Sequence, residues 1–277
     1  MLIKLLLACL VTISLMPVGF AQSGDIFQAI EKNDIAKVRA LLAKNKSLVN
    51  EKSKFGNTPL HTAVLDGNTA IAKLLITKGA GVNAVDQNGF TPLHMAAYDG
   101  NTDMAELLIA KGAKVDALDD SRNTPLHVAV LNGKVEVAEL LIAKGARVNA
   151  AASYGFTPLH TAATEGYREL AELLINKRAN VNSKNNFGST ALHMAASNGH
   201  ATISELLIAS KADVNAQNDS GDTPLHRAAL VGSKEVAALL IAKGADINVR
   251  NKSGKTPIDV AKDSLMAEFL RSKANKK

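Results

Sequence analysis

The sequence holds one cysteine in 277 residues, no tryptophan, and aromatic side chains at only 4% of positions. A lone thiol excludes a disulfide framework, so stability must come from packing. With so few rings, the 47% of hydrophobic residues must build a core from Ala, Leu, Ile and Val, without a bulky centre. The 19 glycines are spread along the chain and nowhere clustered as in Gly-x-x-x-x-Gly-Lys, which excludes a phosphate-cradling loop. Long apolar runs are also missing, apart from one at the N-terminus.

That run has the layout of a secretory signal. Lys4 precedes a mainly apolar stretch from Leu5 to Met16, then comes Pro17, and Gly19-Phe20-Ala21 places small residues at both positions a signal peptidase reads before Gln22. A membrane anchor is the competing reading, but the run falls short of the roughly 20 apolar residues a bilayer requires. Leu6-Leu7-Ala8-Cys9 has the form of a lipoprotein box, yet almost no apolar segment precedes Cys9. Residues 1–21 are therefore expected to be cleaved, and Cys9 goes with them. The mature protein is expected in the periplasm or outside the cell, without a membrane attachment.

What the sequence does contain is a repeat. Thr58, Thr91, Thr124, Thr157, Thr190, Thr223 and Thr256 recur every 33 residues. Six of them open the phrase that ends in His61, His94, His127, His160, His193 and His226. A fixed period of this size means one supersecondary unit stacked many times, which displaces the ordinary length argument of one or two globular domains.

Each unit parses by the same rules. Thr58 suits a helix N-cap, and Pro59 suits the first helical position, where its missing N–H costs nothing. A short helix should run to Gly67, whose equivalents are Gly100, Gly133, Gly166, Gly199 and Gly232. A second helix carries Ile71, Leu74 and Leu75 on one face and stops at Gly79. A polar turn around Gln87-Asn88-Gly89 then leads to the next copy. Residues 22–53 read as a degenerate N-terminal capping unit, with Ile26, Ala29 and Ile30 on one helix and Val38, Leu41 and Leu42 on another. Residues 54–251 hold six full units. Residues 252–277 read as a C-terminal cap, with Ile258-Asp259 in place of Leu-His, fading into a solvated basic tail of Arg271, Lys273, Lys276 and Lys277.

On these residues the chain resembles the ankyrin-repeat family, in an exported, bacterial-type form. The second full unit carries the motif in Gly89, Thr91-Pro92-Leu93-His94, Ala96, Gly100, Leu107-Leu108-Ile109, Gly112-Ala113 and Val115, with only Asp116 departing from the Asn seen at Asn83 and Asn149. The resemblance implies an all-α solenoid of helix-turn-helix units with β-hairpin-like loops, and a concave face of short inner helices and loops that binds another protein. Departures are informative. Arg122 replaces a loop Gly, Ala191 a Pro, and Arg178 and Lys211 the Gly after the second helix. Such Gly positions usually have φ > 0, where a Cβ costs about 1 kcal/mol, so the stack is expected to be weakest near 178–211.

Six histidines in register invite a metal, but equivalent residues of stacked units stand about 8–10 Å apart, too far to share a zinc with bonds of about 2 Å. The expected role is a buried imidazole bonded to the Thr hydroxyl or a neighbouring loop carbonyl. His200, off this register, is expected to be an exposed start to a second helix. Serines and threonines sit at caps, and no carboxylate pair recurs with acid–base spacing, so neither an enzyme nor a cofactor is expected. The net charge of +6 and pI near 9.3 raise the idea of a polyanionic partner. Yet Lys78, Lys111, Lys144, Lys177 and Lys243 each end a second helix, where a cation suits the helix dipole. No aromatics interleave with them to stack on bases, so nucleic acid is not expected.

The aromatics fall elsewhere. Of the nine left after signal removal, Phe55, Phe90, Tyr98, Tyr154, Phe156 and Phe187 lie at loop tips or first-helix ends, among Asp66, Asp99, Asp120, Glu165, Asp219 and Asp222. In the ankyrin pattern these are variable positions of the concave side. Exposed, they would serve as binding anchors; alternatively they cover neighbouring loops, ring on ring. The expected site is Phe55, Phe90, Tyr98, Asp99, Tyr154, Phe156, Glu165 and Phe187, on a monomer that binds another protein. A second reading is an inhibitory or protective module covering an envelope enzyme, and a distant third is an enzyme.

Overall fold

The computed structural model describes residues 25–274; the cleavage motif and Lys276 and Lys277 lie outside them. Among the described residues the chain is all-helical, with fifteen α-helices, two short 3-10 turns and no strand. By its internal contacts it divides into Met1–Ala146 and Arg147–Lys277.

The N-terminal unit runs through α1 (Asp25–Glu31), α2 (Ile35–Lys44), α3 (Pro59–Leu65), α4 (Thr69–Thr77), α5 (Pro92–Asp99), α6 (Thr102–Ala110), α7 (Pro125–Leu131) and α8 (Val135–Ala143). The short first helices stack in the order α1, α3, α5, α7, and each packs on the second helix that follows it. The apolar stripe explains why: Ile71, Ala72, Leu74 and Leu75 of α4 are buried, and so are Met104, Ala105 and Leu108 of α6. The expected capping helices form, with Ile26, Ala29, Ile30, Val38 and Leu42 buried. Phe27, fully buried beside them, is the largest side chain of this end.

The C-terminal unit contains α9 (Pro158–Glu165), α10 (Arg168–Asn176), α11 (Ala191–Asn198), α12 (Ala201–Ala209), α13 (Pro224–Val231), α14 (Lys234–Ala242) and α15 (Ser264–Ala274). Its first helices stack as α9, α11, α13 and its second helices as α10, α12, α14, with α15 closing the row against α14. Ala191 starts α11 as a proline would. Its cap Thr190 keeps the extended φ of −95° and ψ of 170°, so the cap geometry does not depend on Pro.

The last copy differs from expectation. After Thr256-Pro257 the chain makes only a turn and no helix, although Asp259 keeps the cap bonds of the missing imidazole. Its Oδ2 accepts from the Thr256 N–H and hydroxyl, both at 2.8 Å, and those bonds hold the carboxyl below its usual range. Helix α15 follows, anchored by buried Met266 and Leu270, and it takes in Arg271 and Lys273, which were expected in the solvated tail. Arg271 and Lys273 lie in its last turn, where cations suit the dipole.

Positive φ appears where glycine was replaced: Arg122 at 61°, Arg178 at 67° and Lys211 at 70°. Tyr154, at 58°, was not anticipated; it lies inside the 3-10 turn Ser153–Gly155.

Candidate functional site: loop tips and first-helix ends

The histidines are scaffold. His61 Nδ1 lies 3.1 Å from the Thr58 N–H nitrogen and 2.8 Å from the Thr58 hydroxyl. Its Nε2 lies 3.0 Å from the Phe90 carbonyl oxygen. A carbonyl only accepts and a backbone N–H only donates, so Nε2 carries the proton and Nδ1 accepts. The same bridge joins His94 to Asn123, His160 to Ser189, His193 to Asp222 and His226 to Lys255. Burial opposes the charged form, lowering the pKa of His61 and bringing His94, His160 and His193 down to about 4. His200 is not the exposed residue expected: half-buried, it points Nε2 at the Thr164 carbonyl, 3.0 Å away. Its ring also fills the space beside Gly166, where a Cβ would stand 2.8 Å from Cε1.

The loops are tied in two further ways. Within each unit a tip N–H donates to the carbonyl of the preceding tip, as from Gln87 to Phe55 (3.1 Å) and Asp120 to Asn88 (3.0 Å) in the N-terminal unit. In the other unit the pairs are Asn186 to Tyr154 (2.8 Å) and Asp219 to Phe187 (3.0 Å). At the outer end a row of asparagines hooks forward. Asn83 Nδ2 donates to the Gly112 carbonyl at 2.9 Å, and its Oδ1 accepts from the Lys114 N–H at 2.8 Å; Asn182 does the same with Lys211 and Asp213. These bonds fix the backbone of the loops named, which leaves side chains at their tips free to vary.

Against that frame the expected site residues separate. In the N-terminal unit Phe55 is half-buried, with the Lys54 ammonium 4.8 Å from its ring centroid. Tyr98 is half-buried and Asp99 exposed at the end of α5. Phe90, expected at an exposed tip, is only 8% exposed. It precedes Thr91, so its carbonyl is held by the Asp86 N–H and by His61, and its ring turns back edge-on to His94 at 5.4 Å.

In the C-terminal unit Phe156 repeats this placement: 5% exposed, edge-on to His160 at 5.8 Å. Phe90 and Phe156 are thus corrected from surface anchors to parts of the loop core. Glu165 is exposed at the end of α9. Tyr154 and Phe187 are 48% and 44% exposed, and their rings stack with centroids 6.0 Å apart and planes 22° apart. Each ring of this pair therefore covers its neighbour yet presents the rest of itself to water. Asp222 is structural, paired with Arg227 at 3.5 Å and bonded to the Asn251 amide at 2.8 Å.

Sequence reasoning missed Leu65, Leu230 and Val231, apolar residues exposed at the ends of α3 and α13. They share the register of Tyr98 and Asp99, which was the signal that could have found them. Among the described residues no group of His, Cys, Asp or Glu gathers as a metal site, and no helix is long and apolar enough to cross a membrane.

Comparison with known proteins agrees with this geometry. A family model described as ankyrin repeats matches residues 26–119, 115–185 and 178–251. An ankyrin repeat protein of fowlpox virus (strain NVSL), FPV240, is 39% identical over 56 residues, which span 20% of this chain and 14% of that protein. The solved ankyrin repeat domain of human ASB11 superposes with a TM-score of 0.72 at 30% identity, over 78% of this chain and 98% of that one. The ankyrin repeat domain of Bcl-3, a member of the IkappaB family, gives 0.69 at 29% identity, over 79% and 100%.

Proposed function

The chain belongs to the ankyrin-repeat family, whose repeats mediate protein–protein interaction, and from that premise we propose that it is an exported module binding a partner protein through its loop tips and first-helix ends. The carrying observation is the stacked, half-exposed pair of Tyr154 and Phe187. The scaffold is held by backbone bonds at these tips, so Ser or Asn would serve there, as Asn88 and Ser220 do. Large rings left in water are typical of binding anchors. The apolar run before Gly19-Phe20-Ala21 supports action in the periplasm or outside the cell.

A photo-crosslinking side chain at position 187, compared with one at Lys243 on the second-helix end, tests this in the native cell envelope. A discrete protein adduct from 187 and none from 243 is expected. Equal adducts from both positions, or none from 187, would overturn the reading.

A further inference from the structure

The Tyr154–Phe187 tip differs from the other loop tips of the C-terminal unit. Tyr154 holds its backbone at φ 58°, a left-handed conformation that strains a residue with a Cβ, while Phe187, Ser220 and Ser253 at equivalent tips have no positive φ. The ring row then stops. The next tip residue is Ser220, so Phe187 has one face on Tyr154 and no ring to meet its other face. Beside it an Oδ1 of Asp219 sits only 2.5 Å from where a Cβ on Gly188, at φ 68°, would stand. Asp219 is exposed and makes no ion pair among the described residues. The nearby Lys184 ammonium is engaged 2.9 Å from the Gln217 carbonyl, and Lys252, exposed on the following loop, does not pair with Asp219 either. In the N-terminal unit the equivalent ring, Phe55, already carries its own cation in Lys54. No cation of the described chain lies over Tyr154 or Phe187.

An open aromatic face next to an unpaired carboxylate is complementary to a planar cation. We propose that this tip receives an arginine side chain of the partner protein, its guanidinium lying on Phe187 and its N–H groups donating to the Asp219 carboxylate. Arginine suits the place better than lysine, because a weakly hydrated planar fork can stack and donate in one pose, whereas an ammonium keeps its hydration. The inference rests on the partner-binding reading above and names the chemistry of that same surface.

The test uses the full mature chain and three glycine-spaced peptides carrying two arginines, two lysines or two citrullines, followed by NMR. The arginine peptide is expected to shift the ring signals of Phe187 and Tyr154 saturably. Affinity should fall about threefold for lysine and at least about tenfold for citrulline, which keeps the planar shape without the charge. Asp219→Asn, which keeps the shape without the charge, and Phe187→Leu, which keeps an apolar side chain without the ring, should each weaken the arginine peptide about fivefold or more, with nearly unchanged unfolding midpoints. Equal binding of all three peptides, or shifts confined to residues away from this tip, would overturn the proposal, and the peptide series on the unaltered chain decides even if a variant fails to fold. Should the peptides fail while position 187 still crosslinks a protein, partner binding stands and only the arginine assignment falls.

Discussion

His61 donates from Nε2 to the backbone carbonyl of Phe90 at 3.0 Å, across 29 residues of sequence, while the same ring accepts from its own helix cap. One neutral imidazole thus ties the start of α3 to the following loop, and the same bridge recurs from α5, α9, α11 and α13. Protonating Nδ1 would set a donor against the Thr58 N–H, and burial adds the cost of an unsolvated charge.

This gives a pH dependence of definite sign. His94, His160 and His193 titrate near 4 in the fold, against 6.5 in the unfolded chain, so the unfolded state binds more protons between those values. Stability is complete above about pH 6.5 and declines as pH falls toward 4, by up to about 1.4 kcal/mol per pH unit for each histidine. Asp66 and Asp119, whose carboxyls are raised above 3.8 by burial, act oppositely, so the effect is best read above about pH 5. Denaturant titrations should show the midpoint falling from about pH 7.5 to about pH 5; a flat midpoint would contradict the neutral-imidazole bridge.

Arg178 and Lys211 occupy left-handed backbone at φ 67° and 70°. Replacing each with Gly should raise stability by up to about 1 kcal/mol, because relief of Cβ strain exceeds the added freedom of the unfolded chain. Amides near residues 178–211 should also exchange before those of 91–145. Destabilisation by both substitutions, or uniform protection, would count against strain at these turns.

Rings that look alike in sequence should separate by stability. Phe156→Ala should cost about 3 kcal/mol as a buried side chain is lost. Tyr154→Ala with Phe187→Ala should cost under about 1.5 kcal/mol, the value of an exposed stack. Calorimetry on the purified variants checks the order, and the reverse order would return Tyr154 and Phe187 to the core.

That pair also marks what the sequence could and could not reveal. The 33-residue spacing of Thr58, Thr91 and their successors is visible without structure, and it carries the helix starts, the glycine turns and the imidazole bridges, because backbone geometry dictates residue type there. Phe90 and Phe156 were misplaced for the opposite reason. The residue before each Thr is fixed through its carbonyl, so its side chain varies freely from Asn to Phe to Lys, and nothing local says that a ring there folds back on the histidine. Tyr154's left-handed backbone left no trace either, since Gly155 beside it already supplies the turn signal. Helix α15 was hidden because its anchors, Met266 and Leu270, follow a copy whose first helix had dissolved.

The expected export has a direct check. Edman or mass-spectrometric sequencing of the protein recovered from its own cell envelope should begin at Gln22, following Gly19-Phe20-Ala21. A mature chain starting at Met1 would contradict export by this signal.

The central claim is that the exposed tip rings, and not the lysine row, carry partner binding. The most direct measurement is calorimetric affinity of the crosslinked partner, once purified, for three proteins: the native chain, the Tyr154→Ala/Phe187→Ala variant and a Lys78→Ala/Lys111→Ala variant. A loss of about 100-fold or more for the aromatic pair is predicted, with the unfolding midpoint nearly unchanged. The lysine variant should change little beyond a salt-sensitive association rate. Native affinity in the aromatic variant, alongside a large loss in the lysine variant, would contradict the account and move the binding surface to the second-helix ends.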